Sequence, residues 1–202
     1  MHIQAKHIAE AFGTFILSLS VALSVQAAGS LPVSTAVLAA LIVGVYVFTI
    51  GSISGTHLNP AVTLAQLAQK RIKSMDALHY IGAQVLGGIA AGVIVYGMGI
   101  AQFAEFFTFN TAVFISEIFG SMLLMFGISA AIVGRVNAVG APFTIGGSLL
   151  VGIMLALLMG GIGILNPAVA IALGELNIAT LLGPIVGATI GIFFYMMLTD
   201  EL

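Results

Sequence analysis

A 202-residue chain that is 60% hydrophobic, only 6% charged and +1.22 in mean hydropathy is built for lipid, since a soluble domain carries about a quarter charged residues. Five basic against seven acidic side chains give a net charge of −2, which offers no surface for nucleic acid. The absence of cysteine removes disulfides and thiolate chemistry.

A hydrocarbon core of ~30 Å takes about 20 apolar residues per spanning helix. The first such run, near residues 8–28, carries Glu10 and is too long for a signal peptide, with no A-x-A-like cleavage pattern. A second run near 33–53 leads into GSISGTHLNPAVTLAQLAQK, and a third follows near 78–99. Phe103, Phe106, Phe107 and Phe109 then suggest an aromatic anchor at the membrane interface. The fourth run, near 112–134, carries Glu117, and the fifth, near 143–161, leads into GGIGILNPAVAIALGEL. The sixth run lies near 178–198. These elements predict one all-α membrane domain over 1–202. Lys6, Lys70, Arg71, Lys73 and Arg135 all fall on one side of six spans, a bias that places both termini in the cytoplasm.

The chain repeats itself. Leu58–Val62 and Leu165–Val169 both read LNPAV, and Glu10-Ala-Phe-Gly-Thr14 resembles Glu117-Ile-Phe-Gly-Ser121 at the same offset of 107 residues. Farther on, Ala83-Gln-Val-Leu-Gly-Gly88 pairs with Gly183-Pro-Ile-Val-Gly-Ala188 at an offset of 100, as if the second half lacked the basic loop around Lys70–Ser74. Each half, 1–107 and 108–202, thus holds three spans, an odd number. The halves then enter the bilayer from opposite sides as an inverted repeat.

Asparagine is a favoured N-cap and proline a favoured first helical residue. Asn59-Pro60 and Asn166-Pro167 therefore start helices, and the apolar stretches after them, roughly 8–11 residues, are half a span long. Irregular backbone at membrane depth is tolerated only where protein buries it or where it lines a wet cavity. Two half-helices meeting N-terminus to N-terminus near the midplane imply a pore.

With Ala9-Glu10, Phe12-Gly13-Thr14, Ser54–Val62, Gln84, Glu117, Asn166-Pro167-Ala168 and Gly183-Pro184 in these places, the whole chain resembles the aquaporins and aquaglyceroporins, the major intrinsic protein family. The resemblance implies six spans and two re-entrant half-helices forming an hourglass pore in each subunit of a homotetramer. It implies passive conduction of water or small uncharged solutes. Asn59, Pro60, Ala61, Asn166, Pro167 and Ala168 would form the central constriction. The positive ends of two helix dipoles would repel cations there, while the asparagine amides donate to passing water.

The family's outer filter positions fall on Ala39, Met154, Gly163 and Val169. Most of the family has arginine where Val169 stands, and Ala170 replaces the aspartate of glycerol channels. The loss removes a fixed charge and five donors. A wider ring passing glycerol, ammonia or dissolved gases, or an apolar ring that gates by dewetting, both follow.

A charge inside a span costs at least ~2.5–3.5 kcal/mol and is normally paired or functional. Glu10 and Glu117, one per repeat, read as braces for the two loops, with His57 as a loop-positioning residue. The same carboxylates would be coupling groups in the competing reading, a secondary transporter on an inverted repeat. His2, His7 and His79 sit at the cytoplasmic edge and read as solvated interface residues. Gly88-x-x-x-Gly92 and Gly183-x-x-x-Gly187-x-x-x-Gly191 suit close helix packing. The residues contain no nucleophile–base pair or metal cluster, so neither enzyme activity nor a cofactor is expected.

Overall fold

The computed structural model describes residues 4–99 and 109–201, which leaves Phe103, Phe106, Phe107 and His2 outside the described residues. Among the described residues the regular structure is helical throughout. Six helices are long and apolar enough to cross a membrane: α1 Ala5–Gln26, α2 Thr35–Ser54, α4 Ser74–Gly97, α5 Thr111–Ile132, α6 Ala141–Leu158 and α8 Ile178–Leu198. At 1.5 Å per residue these 18 to 24 residues reach about 27 to 36 Å, enough for the hydrocarbon core. Between them lie two short helices, α3 Pro60–Ala68 and α7 Pro167–Leu173.

The chemistry of the ends explains the boundaries. Ser34, Asn59, Asn110, Asn166 and Asn177 cap α2, α3, α5, α7 and α8 with side-chain oxygens that accept backbone N–H groups. The third span begins at Ser74 rather than near residue 78. Its first turn, with Ser74, Asp76 and His79, is too polar for hydropathy to recognise although it is helical. The fifth span stops at Leu158 rather than near 161, because Gly160 turns into the left-handed region at φ +79°.

The seven residues missing from the second half are not one deleted loop. Helix α7 has 7 residues against 9 in α3, and the linker after it runs 174–177 against 69–73. The remaining four come from the start of the following span: α4 begins at Ser74, ahead of Gly87, and α8 at Ile178, ahead of Gly187.

Helix α1 packs on α4, α5 packs on α8 and α6, and α2 joins α6. Each half-helix crosses to the other half of the chain. Helix α3 lies against α8, and α7 lies against α4 and α1. Glycine permits that approach at Gly88, where an added Cβ would collide with the carbonyl of Ala168 in α7. Gly187 serves α8 in the same way against the Ile118 carbonyl of α5. Side chains such as Leu41, Phe48, Phe143 and Leu158 stay exposed on the outer faces, as expected of surfaces that contact lipid.

Candidate functional site

The site grows out of the two asparagine caps. Asn59 Oδ1 accepts from Ala61 N at 2.9 Å and Asn166 Oδ1 accepts from Ala168 N at 3.0 Å. These caps orient the amides, so each NH2 group points away from its own helix. Asn59 Nδ2 then donates to the Leu165 carbonyl at 2.8 Å, and Asn166 Nδ2 donates to the Leu58 carbonyl at 2.9 Å. The two helix starts are thereby tied head to head. An amide nitrogen carries two hydrogens, so each asparagine retains one N–H for a further acceptor. Both asparagines line a cavity of about 250 Å³. A single water needs only ~10–15 Å³ of such space.

Leu58 and Leu165, the residues ahead of the asparagines, adopt left-handed backbone at φ +49° and +54°. Such a conformation costs a branched side chain on the order of 1–3 kcal/mol and persists only when its surroundings hold it. Two carboxylates do so. Glu117 accepts from Ile164 N at 2.8 Å and Leu165 N at 2.6 Å. Glu10 accepts from His57 N at 3.0 Å and Leu58 N at 2.7 Å, and also from Ser54 Oγ at 2.7 Å and Gln84 Nε2 at 2.8 Å. Both carboxylates are fully buried. The donors they accept are the surplus N–H groups of the two loops, in the same register in each half.

The first loop has a polar shell that the second lacks. Tyr80 Oη donates to the Ser54 carbonyl at 2.8 Å, His57 Nδ1 lies 3.0 Å from Thr63 Oγ1, and Gln84 Nε2 donates to the same hydroxyl at 2.9 Å. At the repeat offsets, Gly161, Ile164, Ala170 and Pro184 stand where Ser54, His57, Thr63 and Gln84 stand. Sequence reasoning does not single out Gln84, Ser54, Thr63 and Tyr80 as loop partners. For Ser54, Thr63 and Gln84 the signal is a polar residue whose counterpart at the repeat offset is not polar; Tyr80, whose counterpart is Thr180, carries no such signal.

His57 lies beside the cavity as well as bracing its loop, with its ring 5.1 Å from that of Tyr80. The lining is otherwise largely apolar and includes Val21, Ala39, Val43, Leu149, Ile153 and Val169. Of the four positions assigned to the outer filter, the structure brings Ala39, Gly163 and Val169 to the cavity wall. Met154 is not among them. It is 51% exposed on the outer surface of α6, whereas its neighbour Ile153 is buried and faces the cavity. One residue turns a helix by about 100°, so an error of one position exchanges the lumen for the lipid face. Ala39, Ile153, Gly163 and Val169 all line the cavity, and none of the four carries a side-chain hydrogen-bond donor.

One further expectation changes. His7 is buried at 8% exposure, not solvated, because the start of α1 packs against the start of α4, and its ring lies 5.2 Å from that of His79. Phe109, the described member of the aromatic cluster, is exposed and stacks near Phe114 at 5.4 Å.

Comparison with known proteins gives a consistent result. The family model described as "Major intrinsic protein" matches residues 1–195. Glycerol uptake facilitator protein-like 6 of Lactiplantibacillus plantarum is 34% identical, over 97% of this chain and 99% of its own length. Aquaporin Z of Rhodopseudomonas palustris is 31% identical over 97% and 94%. Aquaporin A of Dictyostelium discoideum is 30% identical over 77% of this chain, which spans 62% of that longer protein. Among solved structures, the aquaglyceroporin from Plasmodium falciparum superposes with a TM-score of 0.69 over 98% of both chains at 20% identity, a likeness of fold.

Proposed function

Because the chain belongs to the major intrinsic protein family, we propose that it is a passive transmembrane channel for water and small uncharged solutes. The observation that carries this reading is the pair of capped asparagines tied head to head beside the cavity, each with an N–H to spare. A solute oxygen crossing this point accepts from the two amides in turn. Water oriented through its oxygen by both is poorly placed to pass a proton along a file. The positive ends of α3 and α7 add a barrier to cations there.

The outer ring supports a broad substrate range. Ala39, Ile153, Gly163 and Val169 offer no donor that would favour water over a solute with an apolar flank. Glycerol, ammonia and dissolved gases belong to the proposed range, and the name of the relative from Lactiplantibacillus plantarum points the same way for glycerol. Charge exclusion then rests on the asparagine constriction alone, since Val169 carries no charge.

The reading includes a homotetramer in the cell membrane, one lumen per subunit, with both termini in the cytoplasm as the five basic residues direct. The transporter reading is not favoured. Glu10 and Glu117 accept the N–H groups of the loops, which suits carboxylates that hold backbone rather than groups that exchange protons with a substrate. Solute flux into proteoliposomes separates the two. A channel gives flux linear in concentration and indifferent to an imposed proton gradient, and saturation with gradient dependence would reverse the assignment.

A further inference from the structure

At the end of the bundle remote from the outer ring, the first turns of α1 and α4 place His7, Asp76 and His79 together. One ligand atom from each lies within 4.8 Å of the others. Asp76 and His79 are three residues apart on α4, so they share a face, and His7 meets them from α1. His7 is more than nine-tenths buried, and its Nε2 has no hydrogen-bond partner. A buried ring nitrogen without a partner is costly, and here it sits in the company of a second imidazole and a carboxylate. None of these groups lines the cavity beside the asparagines.

We propose that His7, Asp76 and His79 form a binding site for a borderline-soft divalent metal ion of the zinc class. Two imidazoles and one carboxylate with a fourth position open to water suit Zn²⁺, whereas Mg²⁺ and Ca²⁺ prefer oxygen ligands. Metal–ligand bonds near 2.1 Å bring tetrahedral donors to roughly 3.4 Å from one another. The half-buried Asp76 and His79 side chains close that difference by turning. Ligation through Nε2 puts the imidazole proton on Nδ1, which now accepts from Gln4 N at 3.2 Å. Gln4 is exposed, so its N–H passes to water. The competing cation is Lys6, whose Nζ lies 2.8 Å from Asp76 Oδ1. Both partners are part-exposed, and such pairs are weak. The metal displaces the ammonium to solvent.

The test uses the full chain in detergent with any affinity tag removed, titrated with Zn²⁺ against a chromophoric chelator. The expected result is one Zn²⁺ per chain and a melting temperature raised by Zn²⁺ but not by Mg²⁺. His7→Ala, Asp76→Asn and His79→Gln should each weaken binding by about tenfold or more, and Lys6→Gln should tighten it. If His7→Ala does not elute as a folded species, His79→Gln at its part-exposed position carries the test. No zinc above a detergent blank, wild-type affinity in the folded ligand variants, or weaker binding by Lys6→Gln would each overturn the site.

Discussion

Removing the Glu117 carboxylate tests whether the buried acids hold backbone. Glu117→Ala leaves the N–H groups of Ile164 and Leu165 without their acceptor in a dry interior. Each unsatisfied donor costs about 1–3 kcal/mol. Relief of the carboxylate's own burial offsets part of this, so a net loss of about 2–4 kcal/mol is expected. The left-handed backbone of Leu165 also loses its restraint, which loosens the carbonyl that receives Asn59. Glu117→Gln keeps one acceptor oxygen for two donors and should lose about half as much. Glu10→Ala should cost about 1–2 kcal/mol more than Glu117→Ala, because Ser54 and Gln84 lose an acceptor too. Gln84 limits that difference by retaining Thr63. The assay is thermal unfolding in detergent beside the exposed control Glu201→Gln, with solute flux measured on the same preparations. A Glu117→Ala protein that melts with the control refutes the brace. Full stability together with loss of a gradient-driven flux would make the carboxylates coupling groups instead.

Other outcomes follow from the same geometry. Asn59→Asp replaces a donor to the Leu165 carbonyl with a negative charge, and a barrier lowered by about 1.4 kcal/mol raises proton leak about tenfold; a pH-sensitive dye inside liposomes reads it, and unchanged leak counts against the asparagines. Ile153→Ala should raise glycerol flux while Met154→Ala leaves it unchanged, since only Ile153 faces the cavity; the reverse pattern would restore Met154 to the ring. Gly120→Ala should destabilise by about 1–3 kcal/mol and Gly13→Ala by less. The new methyl at 120 meets the Gly152 carbonyl at 2.8 Å, whereas the nearest atoms at 13 are the movable ends of side chains. Equal melting temperatures for the two variants would contradict this packing.

How much of the fold and site is legible in the sequence depends on the kind of signal. Six spans stand out because an uninterrupted apolar run of about 18 residues or more is rarely anything but a membrane helix. The start of α4 does not, since Asp76 and His79 resemble a loop unless the α1 turn that faces them is known. Asn59, Asn166, Glu10 and Glu117 are legible because repetition marks them twice. Gln84 has Pro184 as its counterpart and Tyr80 has Thr180, so repetition marks neither as a loop partner, and their partners lie 20 or more residues away in the chain. The left-handed Leu58 and Leu165 carry no local signal, as glycine or asparagine would have. Met154 fails for a geometric reason: counting back along α7 and its loop fixes a level in the bilayer but not the rotation of α6.

A passive channel passes neutral solutes through the asparagine-capped lumen without a driving ion. Osmotic shock of proteoliposomes, followed by light scattering with an impermeant osmolyte and again with glycerol, tests it most directly when Val169→Arg is run beside the native chain. Volume changes faster than in empty liposomes are expected with both osmolytes, and slower glycerol entry with lower proton leak once the arginine narrows and charges the ring. Rates equal to those of empty liposomes, or a Val169→Arg protein indistinguishable from the native chain, would contradict it.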